Sequence, residues 1–198
     1  MRLIGITGGV GAGKSEILNW LQSHYNCYVL KADEAAHSVK EPGQPCYVLL
    51  VALLGREILG PEQKIDRSLM AERIFGDENL LKAVNSIIHP AVKEYILEQI
   101  RCKRAEGNVD YFFLEAALLI EEGYGEILDE LWYIDAVMSV RRRRLQENRG
   151  YSDEKIDRII CSQLTDEEFR KHCDVVIDNS TDLENAYRQI KERLGDVR

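Results

Sequence analysis

No stretch of the 198-residue chain approaches the run of about 18 apolar residues that a membrane span needs, so no span is expected. Positive charge is also short: 26 lysines and arginines stand against 34 aspartates and glutamates, a formal net charge of −8. That balance argues against broad binding to nucleic acid or attachment to an anionic membrane, which both need a positive field. Any anionic ligand must be held by a local cluster of donors. Cys27, Cys46, Cys102, Cys161 and Cys173 are scattered, odd in number and without a C-x-x-C pair. They read as reduced thiols in a cytoplasmic protein rather than as a disulfide framework or a cysteine-histidine metal site. A glycine-rich stretch begins at Thr7, before the apolar core of a signal peptide could form. Internal repeats and low-complexity segments are absent, and the length suits one α/β domain with room for a small subdomain.

What is present is concentrated near the start. Gly8-Gly9-Val10-Gly11-Ala12-Gly13-Lys14-Ser15 follows the apolar run Leu3-Ile4-Gly5-Ile6 and fits G-x-x-x-x-G-K-S, a phosphate-binding loop. Glycines let the backbone fold tightly enough for Gly9, Val10, Gly11, Ala12 and Gly13 to surround phosphate oxygens with main-chain N–H groups. Lys14 reaches the outer phosphates and the Ser15 hydroxyl can ligate Mg²⁺, so ATP with Mg²⁺ is the expected ligand. The loop requires a strand before it and a helix after it. Ile17, Leu18 and Leu21 supply helical spacing from Ser15 to His24.

Apolar runs recur at Leu3 to Ile6, Tyr28 to Leu30, Tyr111 to Leu114, Leu131 to Ile134 and Val175 to Ile177, as strands buried on both faces should. With helical patterns between them they predict a three-layer α/β fold of the P-loop type around a parallel, five-stranded sheet. Two stretches exceed ordinary crossovers. Residues of about 34–107 read as a helical insertion for a second substrate, with a helix expected to open at His89-Pro90 and run to Arg104. Residues of about 139–172 are polar and read as a helical lid, with Ser152 expected to cap one of its helices. The last helix is expected to start from a capping box of Thr181 and Glu184.

Phosphoryl transfer asks a protein to position two substrates, neutralise charge and exclude water. Glu115, ending the third strand, is the candidate carboxylate to join Ser15 at Mg²⁺; a solvated strand end is its plainer reading. Asp33, after the second strand, can face an acceptor hydroxyl; its plainer reading is a helix cap. Arg141 to Arg144 step by about 100° per residue, so they cannot all face one way. Arg141, Arg144 and Arg149 are the candidates to grip phosphate oxygens with a bidentate fork, against a solvated basic face paired with Glu147. His89, on local grounds, reads as a cap.

The whole chain resembles the dephospho-coenzyme A kinases. Thr7 to Ser15 matches that family's T-G-G-x-G-x-G-K-S loop, and Lys31-Ala32-Asp33-Glu34-Ala35-Ala36-His37 is similar to its D-A-D-x-I-A-R. Pro42-Gly43-Gln44-Pro45, Phe75-Gly76-Asp77, Asn85-Ser86-Ile87-Ile88-His89-Pro90, Glu115-Ala116-Ala117-Leu118-Leu119-Ile120-Glu121 and Cys173 to Asn179 follow in the family's order. The resemblance implies transfer of the γ-phosphoryl of ATP to the ribose 3′-hydroxyl of dephospho-coenzyme A, a small-molecule partner; a monomer, with room for weak self-association, is the expected state. It also implies substrate contacts at His89 and Leu118 and a nucleotide contact at Asn179. The chain departs from the pattern at Lys31, His37, Glu115 and Ala117, and Asn148-Arg149-Gly150 reverses the usual R-x-G phase. The rivals are another small-molecule P-loop kinase, such as one acting on nucleoside monophosphates, and a nucleotide-dependent switch. For a guanine-specific switch the N-K-x-D segment and the D-x-x-G strand end are both missing.

Overall fold

A computed structural model describes residues 1–195. In chain order its strands and α-helices are β1 (Arg2–Thr7), α1 (Lys14–His24), β2 (Cys27–Lys31), α2 (Ala32–Ser38), α3 (Pro45–Leu54), α4 (Arg67–Ile74), α5 (Glu78–Glu106), β3 (Tyr111–Glu115), β4 (Glu130–Asp135), α6 (Met138–Arg149), α7 (Asp153–Cys161), α8 (Asp166–His172), β5 (Val175–Asp178) and α9 (Leu183–Leu194). Each of the five apolar runs forms a strand. The sheet is parallel in the order β2-β3-β1-β4-β5, with Ile4 opposite Phe113, Ile6 opposite Trp132 and Ile134 opposite Ile177 in register. Central β1 therefore delivers its following loop to the carboxyl edge, where open α/β sheets bind ligands.

Two units make up the chain, one of Met1–Val29 with the segment from Glu106 onward, the other of Leu30–Ala105. In the first, Ile17, Leu18 and Leu21 of α1 and Ala186 and Ile190 of α9 bury one face of the sheet on Ile4, Ile6, Phe113, Trp132, Ile134 and Ile177. Removing such side chains from water is the main stabilising term, worth roughly 1.5–3 kcal/mol for each large aliphatic group. Strands alternate, so neighbouring Tyr133 faces the other way, and Phe169 of α8 stacks on its ring at a centroid distance of 4.7 Å.

The second unit holds α2 to α5. Cys46, Leu50 and Leu54 are buried at four-residue spacing on α3, as are Val92, Ile96 and Ile100 on α5. Here the structure corrects one expectation: His89-Pro90 does not open a helix. α5 runs 29 residues with Pro90 inside it. A proline in a helix interior costs about 3 kcal/mol. Burial of Val84 before it and of Val92, Ile96 and Ile100 after it holds both halves of the helix in place.

Helix ends supply a second correction. Asp182, not Thr181, caps α9: its carboxylate accepts the Asn185 N–H at 2.8 Å. An anionic cap also favours the positive end of the helix. Ser152 caps α7 as expected, through the Lys155 N–H, and Thr165 with Glu168 forms a capping box at α8.

Candidate functional site

Leaving β1 at Thr7, the chain folds back through six residues and opens α1 at Lys14. Gly13 sits at φ 93°, ψ 21°, left-handed space that side chains resist, and a Cβ there would run into the Asn179 amide. Gly9 is glycine for a different reason. Its Cβ would collide with the guanidinium of Arg141, because α6 lies against the loop. Lys14 folds over the loop, its Nζ 2.7 Å from the Gly8 carbonyl and 3.8 Å from Glu115 Oε1. Ser15 is exposed in the first turn of α1, where helix N–H groups attract anions.

Three more side chains converge from α6 and the end of β5. Arg144 donates to the Ala12 carbonyl at 3.3 Å and to the Asn179 carbonyl at 3.0 Å. Its partners among the described residues are therefore neutral, and burial, with neighbouring Arg143, lowers its pKa. Asn179 is fully buried and donates its amide to Ala12 at 2.7 Å, while its Oδ1 is buried without a partner. The Thr7 hydroxyl is likewise buried and unpartnered. Arg141 is turned inward, its side chain only 4% exposed, and bonded to the Val10 carbonyl at 3.0 Å. The structure thus places it beneath the loop rather than on an open face.

Arg149, the last residue of α6, is exposed, with its guanidinium carbon 6.0 Å from the Tyr151 ring centre. Its hydrogen bond lowers the Tyr151 pKa. Leu118, in the turn after β3, leaves 48% of its surface in solvent. Asp33 and His89 belong to the Leu30–Ala105 unit. Asp33 is the second residue of α2 and exposed; the cap position is Lys31, which removes the cap reading of Asp33. His89 is partly buried in mid-α5.

Sequence reasoning missed Gln163, Asp166 and Tyr133. Gln163 Oε1 accepts the Val10 N–H at 3.0 Å and an Arg141 N–H at 3.3 Å. Asp166 accepts from Arg141 at 3.4 Å and from the Tyr133 hydroxyl at 2.8 Å. Burial, with Asp166 and Asp135 nearby, pushes the Tyr133 pKa well above its ordinary value, so the phenol stays a donor. No motif marks these residues: Tyr133 comes from β4, Gln163 from the segment joining α7 to α8, and Asp166 is the first residue of α8.

Such a loop suits nucleotide phosphates, and the chain is similar to known proteins over nearly its whole length. A family model described as dephospho-CoA kinase matches residues 2–185. A dephospho-CoA kinase of Corynebacterium diphtheriae is 37% identical over 195 residues, which cover 98% of this chain and 94% of that protein. A solved structure from Thermus thermophilus superposes with a TM-score of 0.80 at 30% identity, over 98% of this chain and 96% of that one. A dephospho-CoA kinase structure from Campylobacter jejuni shares the fold at 24% identity, with a TM-score of 0.72 over 98% of each chain.

Proposed function

The chain belongs to the dephospho-CoA kinase family, and from that premise we propose how its residues divide the work of transferring the γ-phosphoryl of ATP to the 3′-hydroxyl of dephospho-CoA, giving CoA and ADP. The observation that carries the reading is the loop itself. Gly13 in left-handed space turns the chain into α1, Lys14 lies across it, and Arg144 rests on carbonyls rather than carboxylates. Positive charge is thus gathered where a triphosphate's negative charge would sit. Apart from that of Val10, which Gln163 holds, the main-chain N–H groups from Gly9 to Ser15 surround the phosphates, Lys14 draws off charge as the transferred group leaves ADP, and Arg144 and Arg149 stabilise that charge from α6. Asn179, buried against Ala12, shapes the nucleotide side of the loop.

A magnesium ion fits the donor set at the carboxyl edge. The Ser15 hydroxyl and the Glu115 carboxylate are hard oxygens suited to an ion that keeps several waters. Held there by Ser15 and Glu115, Mg²⁺ would offset the negative charge of the phosphates. Glu115 stands where the family pattern has aspartate, and its carboxylate lies 3.8 Å from Lys14 Nζ.

Asp33 is the group we assign to the acceptor hydroxyl, whose proton it accepts or whose orientation it fixes. His89 and Leu118 contribute to the coenzyme's binding surface. Among the described residues no helix is long and apolar enough to cross a membrane. We read the protein as a cytoplasmic monomer acting on a small molecule.

The test is incubation of the purified protein with ATP, Mg²⁺ and dephospho-CoA, with ADP and CoA followed by mass spectrometry and AMP, adenosine and shikimate as parallel acceptors. CoA formed in step with ADP, and absent without protein or Mg²⁺, is the expected result. Transfer to another acceptor alone would overturn the substrate, and ATP binding without transfer would overturn the reaction. In the same assay Asp33→Asn should lower kcat by about 10²–10⁴-fold with ATP affinity nearly unchanged. A near-normal kcat would remove Asp33 from the chemistry.

A further inference from the structure

Both polar backbone atoms of Val10 are held by side chains from outside the phosphate loop. The N–H donates to Gln163 Oε1 at 3.0 Å, and the carbonyl accepts from Arg141 Nε at 3.0 Å. The two side chains are themselves joined, Arg141 donating to the same Gln163 oxygen at 3.3 Å. A closed ring results: Val10, Gln163, Arg141 and back to Val10. Its chemistry fixes the orientation of the Gln163 amide, since both neighbours are donors and only an oxygen can accept from them. Asp166 braces the far side of the guanidinium at 3.4 Å and is braced in turn by the Tyr133 hydroxyl at 2.8 Å. Gln163 is partly buried, in the short connection between α7 and α8.

Val10 lies between Gly9 and Gly11, so the loop's most pliable peptides meet at this residue. A loop free to sample many conformations would lose that freedom on binding ATP, and the loss would weaken binding. We propose that Gln163 is a positioning residue of the kinase: with Arg141 it clamps the Val10 backbone in the nucleotide-free protein and presets the loop for the triphosphate. The inference rests on the phosphate-loop reading above. It also moves Arg141 from a substrate contact to a support of the loop, and it explains why Gly9 must lack a side chain: the clamping guanidinium occupies that space.

Gln163→Met keeps the length of the side chain and removes the acceptor. The KM for ATP should rise about tenfold, matching the loss of one ordinary hydrogen bond, while kcat and the KM for dephospho-CoA change less than about twofold. Amide hydrogen exchange read by NMR gives a second, activity-independent measure. The Val10 N–H should exchange slowly in the nucleotide-free wild type, quickly in Gln163→Met and slowly again in Gln163→Glu, which restores the acceptor. Slow exchange in Gln163→Met, or an unchanged ATP KM despite fast exchange, would overturn the proposal. A wild-type protein that neither binds ATP nor makes CoA would instead overturn the phosphate-loop reading on which it rests.

Discussion

At the amino ends of the strands Glu130 accepts from Trp132 Nε1 at 2.8 Å and from Arg193 at 2.7 Å, and it also pairs with Arg2. Nearby, Asp129 and Asp174 accept the N–H groups of Leu3 and Leu131 at 2.7 and 2.8 Å. At the carboxyl ends the cations hold the backbone instead: Lys14 the Gly8 carbonyl, Arg141 that of Val10, Arg144 those of Ala12 and Asn179. One edge spends its charges on each other and on strand ends, which fastens the sheet. The other keeps part of its positive charge on neutral acceptors and leaves the Thr7 hydroxyl and Asn179 Oδ1 buried without partners. Such incomplete satisfaction costs stability and is tolerated where a ligand supplies the missing charge.

If that contrast is sound, substitutions at the two edges should separate activity from stability. The largest effect belongs to Lys14→Met, which should lower kcat/KM on the order of 10²–10³-fold while the melting temperature moves little. An unchanged kcat/KM would break the assignment of the carboxyl edge. Arg144→Met comes next. Loss of a charged donor that rests on two loop carbonyls should raise the ATP KM by about 10–100-fold. An effect confined to the melting temperature would class Arg144 with the fastening charges.

Glu130→Gln sharpens the comparison from the other side. Burial raises the Glu130 pKa, but hydrogen bonds from Arg193, Trp132 and Arg2 outweigh it and hold the carboxyl below its ordinary value. A depressed carboxylate contributes stability in full above its unfolded pKa of about 4.3, and loses it as pH falls through the lower folded value. The variant should melt about 2–8 °C below wild type at pH 7, for a loss of about 1–2 kcal/mol, with kcat unchanged. The gap should narrow as the pH drops below about 4. A gap that is constant with pH would deny Glu130 its charge-dependent role, and a fall in kcat would erase the distinction between the edges.

How far the molecule could be read in advance depends on how local each feature is. The phosphate loop is contiguous, so Gly13, Lys14 and Ser15 were legible together, as were five strands whose residues are apolar on both faces. The places of Glu115 at the end of β3 and of Asp33 just after β2 were legible because a strand end is a place in the fold that a sequence marks. Thr181 misled because two neighbouring residues could both cap α9, and the choice of Asp182 turns on where the chain leaves β5. Pro90 misled because its preference for a first turn is local, whereas the burial that carries α5 through it is not.

The sequence by itself determined the parallel sheet, the loop after β1 and the chemistry of a phosphate site, because periodicity and contiguous motifs act over a few residues. Only the tertiary structure decided which arginine of the run points where. Arg141 faces inward and Arg144 reaches the loop because α6 packs against it, and Gln163 meets Val10 across 153 positions of chain. Contacts of that span depend on where helices settle against the sheet, and that is set by the whole core rather than by any one segment.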